Sequence, residues 1–255
     1  MFKLISDIFD RKELFLILVL RNIKIRYKNS VLGFFWTLLV PVFFILIYSF
    51  FLQFVMKIKI GLPVLVTGII IWQFLSMCLG DSLQAVAGNS NLIKKTAFPR
   101  IILPLSMIAA NLINFLLTLI VLVCYLLVTG ADFGSVLFLP LIVLTHVAFC
   151  LGISLIVSSI NVFFRDTEHI LGVVMLAWFF MTPVIYTFDL IPARFHHLAI
   201  LNPMAGIVSA YRSVFLSVNP LTPAMMKVSL VIAWACLFIG LMVFQSLQSK
   251  FADEL

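Results

Sequence analysis

Long apolar runs broken by short polar connections set the character of this chain. The first run, LFLILVL at residues 14–20, is too short for a hydrocarbon core that takes about 20 helical residues to cross. It must lie on a membrane surface or against protein. Plotted at about 100° per residue, Arg21, Lys24 and Lys28 share one arc, and Phe15, Leu16, Val19, Leu20, Ile23 and Tyr27 the opposite one. That pattern predicts an amphipathic interfacial helix. Arg26 breaks it, projecting from the apolar side, where a cation needs a buried partner or an anionic headgroup.

Longer runs at about 31–56, 62–83, 102–128, 136–160, 170–188 and 228–247 read as six transmembrane helices. Pro41 lies inside the first, which a membrane helix tolerates when neighbours satisfy the freed carbonyl. Residues 190–222 are divided and bounded by Pro192, Pro203, Pro220 and Pro223 into pieces too short to span, and they carry Arg194, His196, His197 and Arg212. A re-entrant hairpin is the expected solution; a full seventh span would move the C-terminus to the other side. The fold class is therefore all-α and polytopic. Residues 1–29 form an amphipathic cytoplasmic interface helix and 30–255 the transmembrane domain, with a polar loop at 88–100.

Composition agrees. The chain is 64% apolar and 11% charged with mean hydropathy +1.22, against roughly 45–50% and 25% in soluble domains. The net charge of +7 does not argue for nucleic acid, because the cations cluster beside apolar runs and no soluble basic domain exists to use them. Topology explains them: with the N-terminus inside, Lys3, Arg11, Lys12, Arg21, Lys24, Arg26, Lys28, Lys94, Lys95, Arg100, Arg165 and Lys250 fall on the cytoplasmic side. Only Lys57, Lys59, Arg194, Arg212 and Lys227 fall outside, so both termini are expected in the cytoplasm. The start does not read as a cleavable signal, since Asp7, Asp10 and Glu13 precede the first run.

Candidate chemistry is sparse. Cys78, Cys124, Cys150 and Cys236 lie singly in apolar runs, with no metal-ligand or disulfide spacing. Arg165, Asp166, Glu168 and His169 are the nearest thing to a catalytic cluster, but acids just before a helix complement its dipole and the arginine obeys the charge rule. His146 and Asp81 are ionisable groups in or near spans. His146 reads as an interhelical hydrogen-bonder, Asp81 lies close enough to the surface to reach water with Gln84, and Asn111 and Asn114 share a face suited to joining helices. The 26 Phe, 5 Tyr and 4 Trp suit lipid contact and interfacial belts, or a pore lined with rings on which sugars stack. No G-x-x-x-x-G-K-[ST] loop occurs, so ATP has no phosphate cradle of that kind in this chain.

Several stretches taken in order resemble the permease subunits of polysaccharide-exporting ABC transporters: RYKNSVLGFFWTLLVP (26–41), NVFFRD (161–166), TPVIY (182–186), Ile191–Pro192 and NPM (202–204). The likeness is to O-antigen export permeases, with teichoic acid exporters as relatives. It implies a homodimer of six-span subunits in the inner membrane. Two copies of a separate ATPase, using ATP and Mg, would drive it, and the substrate would be an undecaprenyl diphosphate-linked glycan. It places Arg21, Lys24, Arg26, Tyr27, Lys28 and the Leu32–Gly33 turn where the lipid headgroup arrives. Asn91, Lys94, Lys95 and Arg100 fall in the ATPase coupling loop, Asn161, Arg165 and Asp166 in a structural motif, and Pro183, Tyr186, Pro192, Asn202 and Pro203 in the outer gate. Arg26 would touch the diphosphate or form a salt bridge, to the ATPase or to an acid of its own subunit. A drug or lipid ABC exporter and an integral glycolipid-modifying enzyme are the competing readings.

Overall fold

The computed structural model describes residues 11–28, 30, 32–55, 57, 60–96, 98–217 and 223–255. Lys3, Asp7, Asp10, Val31, Met56, Lys59 and Pro220 lie outside them, as do the side chains of Tyr27 and Pro41. Among the described residues every regular element is helical. Helix α1 spans Lys12–Tyr27; α2, Trp36–Phe50, follows a short turn at Gly33–Phe35 and runs on into a π turn at Phe51–Val55. Then come α3 (Leu62–Ala87), α4 (Ser90–Lys95), α5 (Ile102–Val128), α6 (Leu139–Phe163) and α7 (Thr167–Met181). The chain closes with α8 (His196–Leu201), α9 (Pro203–Leu216), α10 (Pro223–Leu247) and α11 (Phe251–Glu254).

Prolines set several helix starts. Pro63, Pro140 and Pro203 stand in the first turn of α3, α6 and α9, where the missing N–H loses no bond. At α9 the start is sharpened by Asn202, whose Oδ1 accepts from Met204 N at 3.1 Å. Thr182 and Pro183 stop α7 at Met181, short of the expected end at 188, because a residue before proline is driven out of helical geometry.

Among the described residues four helices are long and apolar enough to cross a membrane, Leu62–Ala87, Ile102–Val128, Val136–Phe163 and Ala224–Glu254. A fifth crossing arises if the pair Ala193–Leu201 and Pro203–Leu216, bent by 94°, counts as one span. This is a multi-pass membrane protein. Helix α7 has 15 residues, about 22 Å at 1.5 Å per residue and below the roughly 30 Å of a hydrocarbon core, and α2 has the same length before its π turn. The bent pair falls where the proline-divided hairpin was expected. Its second arm is the more deeply set, with Met204, Ala205, Val208 and Tyr211 buried.

Helix α3 is the hub, with most of its residues between Leu65 and Val86 buried and α2, α5, α6 and α9 packed around it. The most intimate pairing joins α6 to α10 at two glycines: a Cβ on Gly152 would lie 2.4 Å from Cys236 C, and one on Gly240 would lie 2.3 Å from Gly152 O. Lipid tails are as apolar as leucine, so close backbone approach of this kind replaces the hydrophobic effect as the source of helix association. A second apolar cluster at one end gathers Leu18, Val86, Ile93, Ile101, Val162, Phe244 and Phe251, tying α1, α4 and α11 to the ends of α3, α5, α6 and α10. By contrast, α2 packs mainly on α3, α7 rests lightly on α3 and α6, and the two leave Phe43, Phe50, Val173 and Leu176 exposed.

Candidate functional site

The cluster that holds α1 also sets its polar side chains against the bundle. Arg21 Nη2 donates to Asn89 Oδ1 at 2.7 Å, just before α4, and Asn22 Nδ2 donates to Ser106 Oγ at 3.2 Å on α5. Arg26 forms an ion pair with Asp81 of α3 and donates to Asn111 Oδ1 of α5 at 2.5 Å. Asn111 Nδ2 in turn donates to Asp81 Oδ2 at 2.9 Å, closing a triangle. The acid of its own subunit, one of the partners the sequence left open for Arg26, is Asp81, which acquires a role with it. Both side chains keep some access to water, at 24% and 34% exposure, so charge pairing in a partly wet site suffices.

The arc expected for α1 is altered by this docking. Leu18 and Val19 turn to the protein, while Leu16, Ile17, Leu20 and Ile25 face outward. Lys24 and Lys28 are exposed and Arg21 half-buried. Leu32 is exposed beside Gly33, whose φ of +47° makes the turn into α2 and whose N–H donates to Ser30 Oγ at 3.1 Å.

Helix α4 forms a small platform. Ile93 is buried and anchors it, leaving Asn91, Lys94 and Lys95 exposed together. Arg100 departs from that face: it turns inward and donates to Gln248 O, binding the start of α5 to the C-terminal segment. Asn161 is buried and donates to Leu83 O at 2.7 Å, joining α6 to α3, whereas Arg165 and Asp166 are exposed in the next turn. Glu168 and His169 are exposed too, and among the described residues no group of His, Cys, Asp or Glu could hold a metal ion.

Between α2, α3 and α7 runs an open groove of about 320 Å³ lined by Phe44, Tyr48, Trp72, Gln73, Ser76 and Phe179. Its rings are locked to one another: Tyr48 stacks on Phe179 at 5.6 Å, and Trp72 meets Phe179 and Trp178 edge-on at 5.5 and 6.0 Å. Fixed aromatic planes beside an amide and a hydroxyl suit a ligand with both C–H faces and hydroxyl groups. His146 is walled in by Phe74, Phe115 and Tyr211 at 4.9, 5.7 and 5.9 Å between centroids. It departs from its expected role, since neither ring nitrogen meets an oxygen or nitrogen partner among the described residues.

The other end is organised around α9. Trp178 Nε1 donates to Asn202 Oδ1 at 3.0 Å, and Asn202 Nδ2 donates to Thr182 Oγ1 at 2.9 Å. Tyr186 OH donates to Phe180 O at 2.9 Å, and Pro192 O accepts from Phe195 N at 2.8 Å. Arg212 donates to the carbonyls of Pro183 and Tyr186 at 2.7 and 2.8 Å and to those of Val184 and Val64 at 2.6 and 3.0 Å. The expected gate residues Pro183, Tyr186, Asn202 and Pro203 are thus brought together. Arg212, read from sequence only as an outer-side charge, is at their centre. An arginine amid apolar residues on a short helix was the available signal.

Residues 13–216 match the ABC-2 type transporter family of membrane proteins. An O-antigen export system permease protein from Klebsiella pneumoniae is 32% identical over 247 residues, covering 95% of each chain. Its counterpart from Myxococcus xanthus is 34% identical over 270 aligned positions, covering all of both chains. The family's members are the membrane-embedded permeases and not the ATPases, in keeping with a chain that has no phosphate loop. This all-helical chain belongs to the ABC-2 type transporter family and is related within it to O-antigen export permeases.

Proposed function

We propose that this chain is the channel-forming permease of an ABC transporter that exports a lipid-linked polysaccharide of the O-antigen kind, on undecaprenyl diphosphate, across the cytoplasmic membrane. Two copies form the channel, and two copies of a separate ATPase, with ATP and Mg, supply the work. The groove of Tyr48, Trp72, Phe179, Gln73 and Ser76 carries this reading. It offers stacking planes and hydrogen-bonding groups side by side, and it is flanked by α2 and α7, two short helices that leave Phe43, Phe50, Val173 and Leu176 uncovered. A second copy facing the first would enclose such a groove, and α2 and α7 would then complete six spans.

At the opposite pole of each function, the end bearing α1 and α4 is the cytoplasmic one, with both termini there by the excess of cations. Asn91, Lys94 and Lys95 form the face that meets the ATPase. Asp81 already neutralises Arg26, so attraction of the diphosphate falls to exposed Lys24 and Lys28, at about 1 kcal/mol per cation near the surface.

Complementation tests the proposal. In a strain lacking its own O-antigen export permease, this chain and its ATPase should restore surface glycan, and Gln73→Ala with Tyr48→Ala should reduce it without loss of the folded protein. Export of small hydrophobic compounds in place of glycan would move the chain to the drug or lipid exporters. Turnover of glycolipid by the purified chain alone would make it an enzyme. A teichoic acid substrate would show as restored export only in a cell that makes one.

A further inference from the structure

Arg212 is 1% exposed, and among the described residues it forms no ion pair. Its charge is balanced only by four carbonyl dipoles, an arrangement that is unfavourable unless the geometry is well satisfied. The acceptors belong to two separate bodies. Val64 lies in the first turn of α3, while Pro183, Val184 and Tyr186 belong to the turn that follows α7. That turn presses on α3 at Gly68, where a Cβ would fall 2.1 Å from Val184 O and 2.7 Å from Arg212 Nη2. No side chain larger than hydrogen fits while the turn is docked.

We propose that Arg212 is the positioning residue of the outer gate: it clasps the 182–186 turn to the glycine face of α3, and the gate opens by releasing those carbonyls to water. A guanidinium suits this task because its donors are fixed in one plane and reach both bodies at once. Carbonyls set free at an opening mouth are hydrated, so the tie is reversible where a zipped apolar seam would not be. Calling the mouth a gate rests on the export reading; the clasp itself does not.

Hydrogen exchange read by mass spectrometry on the full chain in lipid nanodiscs tests it. The backbone amides of Thr182 and Val184, which donate to Phe179 O and Thr182 O at 3.3 and 2.7 Å, should exchange slowly in the parent protein and at least about tenfold faster in Arg212→Ala, with the amides of α3 and α6 unchanged. Arg212→Lys keeps the charge without the fork and should fall between them. Gly68→Ala keeps the arginine in the chain but crowds both Val184 O and Arg212 Nη2, forcing turn and guanidinium apart, and it should produce the same local acceleration. If Arg212→Ala yields no folded protein, Arg212→Lys decides. Parent-like exchange of the turn in the folded variants, or acceleration spread equally through the whole bundle, overturns the clasp. Faster local exchange in a chain that exports no glycan keeps the clasp and sinks the export reading; lost export with an unaltered turn does the reverse.

Discussion

Arg26 and Arg212 stand at opposite ends of the molecule and are neutralised by different means. Arg26, with 24% of its side chain exposed, has the carboxylate of Asp81 and the amide of Asn111. Arg212, at 1%, has carbonyl oxygens alone. Near water an ion pair is inexpensive to form, and its strength is moderated by solvent. Deep in the bundle, four well-placed dipoles surround a guanidinium without burying a second charge. The first arrangement fixes a helix, α1, to the bundle. The second gathers carbonyls from several turns and fixes a fold within the bundle.

Substitutions at the two sites should separate these mechanisms. Arg212→Ala takes the donor from two buried carbonyls, those of Pro183 and Val184, and from two part-buried ones, those of Tyr186 and Val64; at about 1–3 kcal/mol for each buried unsatisfied group, it should lower thermal stability in detergent more than any change at Arg26. Asp81→Ala should follow at about 1–2 kcal/mol, below the 3–5 kcal/mol of a fully buried broken pair because water reaches the site. A double-mutant cycle with Arg26→Ala measures that coupling, and additive effects would deny it. Arg26→Lys keeps the charge but cannot serve Asp81 and Asn111 together, and a loss of about 1 kcal/mol is expected in the same melt. Lys94→Glu with Lys95→Glu should leave the melting temperature unchanged, as these side chains are exposed, while ATPase stimulation by the permease falls. A shifted melting temperature there would mean the pair supports α4 instead of a partner.

The periodicity of the chain was enough to place the helices. The runs at 62–83, 102–128 and 136–160 became α3, α5 and α6, with ends moved by a few residues, and the proline-divided stretch became the bent pair before α10. The apolar count overran the fifth helix, because Thr182 and Pro183 end it where hydropathy alone continues. Within α1, the opposition of Arg26 to the other cations correctly marked it as needing a partner. The apolar arc was less faithful: tertiary docking turned Leu16 and Leu20 outward and Leu18 inward.

What the sequence alone determined, then, was which segments are apolar and the order of helices, since hydrophobic length and proline position are local properties of the chain. Tertiary structure decided which polar groups answer one another. Arg26 finds Asp81 at a separation of 55 residues, and Arg212 reaches Val64 across 148. Such pairings depend on how helices rotate and cross, and a helical period fixes only which side chains share a face. Burial then makes the pairing obligatory, because a charge or carbonyl removed from water must meet its partner within the protein.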